Sequence, residues 1–273
     1  MPRARVGGIE LYYETHGWDS DADVVVLSNG VLMSTTSWAY QVPALARRFR
    51  LLLYDARGMW RSDHPPGPYT MELHASDLAG LLDAVGVDRA HIAGISYGGE
   101  VSLQFALSYP ERTRSLFVAS AVSEVGPLVR ATIEAWIAAA EARDPGLLHR
   151  LVVATGFSER WAAAHPDEIA QARSRYAALD FRAVAELCRC FLRLDLTGEL
   201  HRIQAPTLVL AGEEDVLKPR GYAAQIAREI PGAQLLMVPA AGHALCLERP
   251  AEFNTALVGF LAQHAEKMKG GDG

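Results

Sequence analysis

The segment Gly94-Ile95-Ser96-Tyr97-Gly98 constrains this sequence more than any other, because it places a serine in a turn between a strand and a helix. His91–Ile95 is short and mostly apolar, as a buried strand is, and Tyr97–Tyr109 has a helical pattern that ends at Pro110. In so sharp a turn, residues two positions on either side of the serine have no room for a Cβ atom. The pattern G-x-S-x-G in this setting predicts a serine in a strained backbone conformation, with its hydroxyl lifted clear of a sheet.

Strands and helices alternate along most of the chain, which predicts parallel strands joined by crossover helices and therefore an α/β fold. Ile9–Glu14 alternates polar and apolar residues and predicts an early antiparallel strand. The other predicted strands are Val24–Ser28, Arg50–Tyr54, His91–Ile95, Ser115–Ala119, Thr207–Ala211 and Gln234–Val238.

The alternation stops between residues 124 and 200, where only helical patterns occur, at Leu128–Arg143, Gly146–Thr155, Pro166–Leu179 and Arg182–Arg193. A helical block inserted late in such a sheet predicts a lid over a pocket. The alternative is a second packing layer with no role in function. We therefore divide the chain into an α/β core of residues 1–123 and 201–265, a helical lid of residues 124–200 and a C-terminal tail of residues 266–273.

The composition narrows the class of partner. The 273 residues carry a net charge of -6 and no long run of lysine or arginine, which argues against a nucleic-acid or anionic-membrane surface. No segment approaches the roughly 18 consecutive apolar residues of a membrane span, and the N-terminus lacks the apolar stretch of a signal peptide. Cys188, Cys190 and Cys246 form no pairing framework and predict reduced thiols. We expect a cytoplasmic protein with a small-molecule substrate and no membrane or nucleic-acid partner, and leave homo-oligomer formation open.

A serine hydroxyl needs a base to act as a nucleophile, and His243 is the leading candidate among the nine histidines. It lies in a loop before the last helix, and the chain order serine, acid, histidine is that of sheets with this serine turn. The acid should follow a strand, and Asp215 follows Thr207–Ala211, where a buried carboxylate would orient the imidazole and stabilise the imidazolium. The alternative acids are Glu213, Glu214 and, more distantly, Glu124. The pattern assigns His74, with three other histidines, to a loop or surface position.

These segments together resemble the α/β-hydrolase superfamily from about Val6 to His264, and in particular its serine esterases and lactonases. Tyr54-Asp55-Ala56-Arg57-Gly58 with Ser62-Asp63 is similar to the family's D-x-R-G-x-G-x-S-D loop, and Pro206–Gly212 is similar to its penultimate strand. The resemblance implies an α/β fold with a mostly parallel eight-stranded sheet, helices on both faces and a helical lid insertion. It also implies a reaction without cofactor or metal on a triad of Ser96, Asp215 and His243.

The resemblance extends to the oxyanion hole and includes two departures. The family uses the amide after the nucleophile, here Tyr97, and an amide from the loop after an early strand, here Val31 in Ser28-Asn29-Gly30-Val31. Asn29 replaces the usual histidine, as in the 3-oxoadipate enol-lactonases, and together with Thr35-Thr36-Ser37 it also resembles the 3-hydroxyacyl-ACP acyltransferases. Trp60 stands where the family often has glycine, which puts the nearby pocket wall in question.

We therefore expect hydrolysis of a carboxylic ester or lactone through an acyl-enzyme on Ser96. One alternative is an acyltransferase or thioesterase that uses hydroxyacyl thioesters on the same triad. Another is a ligand-binding protein with low turnover. Bulky apolar residues in the predicted lid indicate an apolar pocket for uncharged small to medium substrates, and Trp60, Trp136 and Phe157 are the candidate substrate contacts.

Overall fold

The computed structural model describes residues 2–265, and the predicted tail of residues 266–273 lies outside that range. Within it, eight strands form one sheet: β1 (Arg3–Val6), β2 (Ile9–His16), β3 (Val24–Ser28), β4 (Arg50–Tyr54), β5 (Ala90–Ile95), β6 (Thr113–Ala119), β7 (Thr207–Gly212) and β8 (Gln234–Val238). Their order across the sheet is β1-β2-β4-β3-β5-β6-β7-β8. The pairs β1–β2 and β2–β4 are antiparallel and all the others are parallel.

The α-helices in the described range are α1 (Val42–Leu45), α2 (Met71–Ala84), α3 (Tyr97–Ser108), α4 (Pro127–Glu141), α5 (Pro145–Gly156), α6 (Glu159–Ala164), α7 (Pro166–Tyr176), α8 (Phe181–Phe191), α9 (Arg220–Glu229), α10 (Leu245–Glu248) and α11 (Pro250–His264). Short 3-10 helices lie at Thr35–Trp38, Pro110–Arg112 and Thr197–Arg202. No helix among residues 2–265 combines the length and apolar character that crossing a membrane requires.

The interior strands of the sheet are buried on both faces, and their side chains alternate between two apolar cores. In β3, Val24 and Val26 pack with α2 and α3, whereas Val25 and Leu27 pack with α1 and α11. This alternation is the period-two pattern of an extended chain, and crossover helices cover both faces because the strands are parallel. The predicted α/β fold with a mostly parallel eight-stranded sheet is confirmed.

Residues 124–200, which we call the helical segment, carry α4 to α8 and a single β-bridge between Glu124 and Asp195 within the described chain. The four helices predicted there correspond to α4, α5, α7 and α8, with ends that differ by three residues or fewer. Helix α6 was not predicted, because a helix of six residues is too short to give a periodic pattern. Its start is fixed instead by Ser158, whose hydroxyl accepts a hydrogen bond from the Trp161 amide.

Candidate active site

Ser96 lies in the sharp turn between β5 and α3, at the carboxyl edge of the sheet. Its backbone has φ of 54° and ψ of -122°, a conformation that costs a non-glycine residue about 1–3 kcal/mol. A Cβ atom on Gly94 would lie 2.1 Å from the carbonyl oxygen of Gly98, and one on Gly98 would lie 2.1 Å from that of Ser28. Both glycines are therefore required by the close approach of backbone, which is the reason the sequence pattern predicted.

The structure brings the three predicted triad residues together from three strand ends. The Oγ of Ser96 lies 2.9 Å from Nε2 of His243, and Nδ1 of His243 lies 2.9 Å from Oδ2 of Asp215. With Nδ1–H donating to the carboxylate, Nε2 is left to accept the serine proton. This arrangement can activate the hydroxyl, since each member orients the next.

The environment separates Asp215 from the alternative acids. The Asp215 side chain is fully buried, and its Oδ1 accepts a 2.7 Å hydrogen bond from the Lys218 amide. Glu213 and Glu214 are exposed. Glu124 lies at the start of the helical segment, where its backbone forms a β-bridge with Asp195. A buried carboxylate holds an imidazole more firmly than a solvated one, so Asp215 is the candidate that the geometry favours.

A buried ion pair beside Ser96 was not predicted from the sequence. The Nζ atom of Lys218 lies 2.8 Å from Oε1 of Glu100 and 3.3 Å from Oγ of Ser96, and Glu100 also accepts a 2.9 Å hydrogen bond from the Val122 amide. Burial raises the pKa of Glu100, while the ammonium of Lys218 opposes that shift. The two residues are 118 positions apart, and nothing in the pattern of either segment marks them as partners.

The two candidate oxyanion donors, the amides of Val31 and Tyr97, lie beside Ser96. Val31 follows β3 and Tyr97 opens α3, and both border a cavity that Ser96 also lines. Neither backbone amide donates a hydrogen bond to another group within residues 2–265. Two free amides beside a nucleophile can stabilise a developing oxyanion.

Asn29 anchors the loop that carries Val31. Its amide nitrogen donates to the carbonyl of Tyr54 at 2.9 Å and to Oδ1 of Asp55 at 3.2 Å, and its oxygen accepts 2.7 Å from the Trp38 indole. Burial raises the pKa of Asp55 to about 6, although amides of neighbouring residues donate to the carboxylate. Asn29 thus joins the loop that carries Val31 to the loop that follows β4 by hydrogen bonds of its side chain.

The loop that carries His243 is fixed by Glu248 at the end of α10. The Glu248 carboxylate accepts hydrogen bonds from the Gly242 amide at 3.1 Å and from the Ser158 amide at 3.2 Å, and also from the Ser158 hydroxyl. The Ala244 amide donates to the Gly156 carbonyl at 2.8 Å. The histidine loop is therefore tied to the junction of α5 and α6.

Two cavities meet at Ser96. The first, which we call the large chamber, has a volume of about 620 Å³ and lies against His243 and α4 to α7. Trp60, Trp136 and Phe157, the three predicted substrate contacts, line this chamber. Trp60 has a φ of 39°, in the left-handed region that favours glycine, so the backbone at this position is strained.

The second cavity, the small chamber, has a volume of about 20 Å³, room for about one water molecule. It lies against Val31, Ser96, Tyr97, Trp136, Phe191 and Lys218. It does not border His243, so the two chambers offer different surroundings to the two sides of a bound carbonyl group.

The expectation that His74 lies in a loop or at the surface was wrong. His74 lies in the first turn of α2 and is buried under α3, where its Nε2 lies 2.8 Å from the Tyr97 hydroxyl. Burial lowers its pKa to about 3. Met71 and Leu78 lie three residues before and four residues after His74, so helical spacing already placed His74 on the buried face of α2. Cys188, Cys190 and Cys246 are buried and form no disulfide.

Comparison with known proteins identifies the family to which this chain belongs. A family model of the alpha/beta hydrolase fold matches residues 23–250. A relative assigned as the carbamate hydrolase RutD in Caulobacter sp. strain K31 is 32% identical over 264 residues, which are 93% of this chain and 97% of the relative.

Solved structures agree with the sequence match. The enol-lactonase from Burkholderia xenovorans LB400 is 30% identical, has a TM-score of 0.90 and is similar over 96% of this chain and 100% of its own. A thermophilic esterase from Thermogutta terrifontis is 28% identical, with a TM-score of 0.87 over 97% and 100% of the two chains. The chain therefore belongs to the α/β-hydrolase family, and it is a hydrolase.

Proposed function

We propose that the protein hydrolyses a carboxylic ester or lactone, with Ser96 as nucleophile, His243 as base and Asp215 as the acid that orients it. The observation that carries the proposal is the hydrogen-bonded chain Ser96–His243–Asp215 at the wall of a large apolar chamber. The similarity to an enol-lactonase and an esterase over nearly the whole chain adds support.

The reaction begins when Ser96 Oγ attacks the carbonyl carbon and His243 Nε2 takes its proton. The oxygen of the tetrahedral intermediate then lies between the amides of Val31 and Tyr97, each of which is worth about 10²–10³ in rate. His243 returns the proton to the leaving oxygen, and an acyl-enzyme forms. Water deprotonated by His243 releases the acid and restores Ser96.

A carbamate is a second candidate substrate, favoured by the relative assigned as a carbamate hydrolase. The same attack by Ser96 would serve it, with an amino group in place of the acyl carbon chain. Acyl transfer to an alcohol differs only in the acceptor. A comparison of products formed with and without an added alcohol separates transfer from hydrolysis, and carbamate esters belong in the same substrate panel.

The test is a panel of aryl esters and lactones assayed with the parent protein and with Ser96→Ala and His243→Ala. Each substitution should lower kcat by at least about 10⁴, because triad members act as a unit. Ser20→Ala, at an exposed position in the turn after β2, is a matched control that should stay within a few fold of the parent. If Ser96→Ala kept a tenth of the parent activity, Ser96 would not be the nucleophile.

A further inference from the structure

We infer that the acyl group of the substrate is short and carries an uncharged acceptor oxygen on the carbon next to the scissile carbonyl, and that Lys218 and Trp136 bind this oxygen. The inference rests on the proposed function and adds a substrate class to it. It follows from how the two chambers meet at Ser96 and from two hydrogen-bond donors in the small chamber.

The two chambers receive different halves of the substrate. The leaving oxygen must reach His243 Nε2 to be protonated, and His243 borders the large chamber. The alcohol part of the ester therefore lies in the large chamber. Once the carbonyl oxygen lies at the amides of Val31 and Tyr97, the acyl part points into the small chamber. A cavity of about 20 Å³ accepts only one or two heavy atoms beyond the carbonyl carbon.

Lys218 offers a donor in this small chamber. An ammonium group has three N–H donors, and Lys218 directs one to Glu100 and one to Ser96 Oγ, with its Nζ 4.7 Å from the centre of the Phe191 ring. As Ser96 Oγ bonds to the carbonyl carbon it becomes a poor acceptor, so the N–H that it held is freed during acylation, the step that kcat/KM reports. An oxygen on the carbon next to the acyl carbonyl is three bonds from Oγ, within reach of that N–H.

Trp136 offers a second donor. It is 3% exposed, and its indole N–H has no hydrogen-bond partner among the residues that the structure describes. A buried donor without a protein partner calls for a water molecule or a ligand oxygen beside it. Trp136 lies between the two chambers and lines both, so an acceptor oxygen that occupies the small chamber beside the indole N–H would satisfy this donor together with Lys218.

The charges around Lys218 favour an uncharged oxygen over a carboxylate. The positive charge of Lys218 is balanced by Glu100, which is 0% exposed and 2.8 Å away, and Asp215 lies on the other side of His243. A carboxylate entering the small chamber would lose its hydration and find no net positive charge in return. A hydroxyl, ether or keto oxygen has a much smaller desolvation free energy and can accept the same hydrogen bonds.

The test compares 1-naphthyl glycolate with 1-naphthyl propanoate, which differ by a hydroxyl in place of a methyl group. The measured quantity is the ratio of their kcat/KM values, since the intrinsic reactivity of each ester is the same for every variant. Lys218→Met should lower the glycolate-to-propanoate ratio at least about tenfold, and Trp136→Phe severalfold. The double variant with Lys218→Met and Glu100→Gln should give the same loss without leaving an unpaired buried charge.

Arg220→Met, at an exposed position two residues away, is the matched control and should keep the parent ratio. The inference is overturned if the ratio is unchanged in both Lys218 variants while propanoate hydrolysis persists. A higher kcat/KM for the monoester of oxalate than for glycolate would also overturn it, and so would a rise in rate from propanoate to octanoate. Absence of Ser96-dependent hydrolysis of every ester would instead refute the proposed function.

Discussion

Asp215 and Glu214 are neighbours in the sequence with opposite surroundings, and the comparison between them tests the acid. Asp215→Asn keeps the size of the side chain but favours the wrong imidazole tautomer, so kcat should fall by about 10⁴. Glu214→Gln changes an exposed carboxylate and should alter kcat less than twofold. Steady-state kinetics on the best ester of the panel measure both. The reverse pattern would assign the acid to Glu214.

At the scale of single residues, the sequence predicted those positions whose local pattern carries the chemistry. The glycines mark Ser96 and the loop before the last helix marks His243. The strand before Asp215 left Glu213 and Glu214 as alternatives, and burial in the folded chain is what separates them. Lys218 and Glu100 could not be predicted, because what matters is that two distant segments bring them 2.8 Å apart in a buried place. The role of Glu248 was not predicted for the same reason, since its partner Ser158 is 90 residues away in the sequence.

At the scale of elements, the strands of the sheet interior were predicted closely. β3 and β4 were predicted at their observed bounds, Val24–Ser28 and Arg50–Tyr54, because buried parallel strands are short uninterrupted apolar runs. β1 was not predicted, since the four residues Arg3–Val6 lie at the sheet edge and alternate with arginine. β8, at the other edge, was predicted at its observed bounds Gln234–Val238 because its run is mostly apolar. A four-residue strand that alternates with arginine and a six-residue helix are too short to give such a local pattern.

The junction between α10 and α6 gives a prediction about the histidine loop. Glu248→Gln replaces an acceptor by a group that must also donate, so the bonds to Gly242 and Ser158 weaken and His243 loses its fixed position. We expect kcat/KM to fall about ten- to a hundredfold. Glu252→Gln, one turn further along and paired with Arg249 at the surface, should leave kcat/KM unchanged. A lower melting temperature for Glu248→Gln with parental kcat/KM would reduce Glu248 to a structural role.

At the scale of the whole molecule, buried neutral histidines make stability depend on pH. Burial lowers the pKa of His74 from 6.5 to about 3, and it lowers that of His91 to about 4. Between pH 6.5 and 3 the unfolded chain binds a proton at His74 that the folded chain does not. The free energy of unfolding therefore falls as the pH falls through this window, by up to about 1.4 kcal/mol per pH unit for each such group.

His74→Gln removes this proton uptake while a side-chain amide can still bond the Tyr97 hydroxyl. The slope of the unfolding free energy against pH between 4 and 6, measured by urea titration, should be shallower than in the parent by about 1 kcal/mol per pH unit. The difference between the two proteins isolates His74 from other buried groups that titrate in the same range. His201→Gln, at an exposed position, is the control, and equal slopes for His74→Gln and the parent would refute the prediction.

The hydrogen bonds of Glu248 have a consequence for the route by which a substrate arrives. The Glu248 carboxylate binds both the α5–α6 junction, at Ser158, and the loop of His243, at Gly242. An outward movement of the junction would therefore move His243 away from Ser96. If substrate entered at the α5–α6 junction, His243 would move away from Ser96 each time that a molecule entered. Helix α7 has no buried residue and lines the large chamber through Ile169 and Tyr176. Within residues 2–265, its hydrogen bonds run to His149 of α5 and to Ser34 rather than to the loop of His243. An entrance beneath α7 would let a substrate with a bulky alcohol group enter while Ser96, His243 and Asp215 stay aligned. Substrate entry and the alignment of the triad would then be independent.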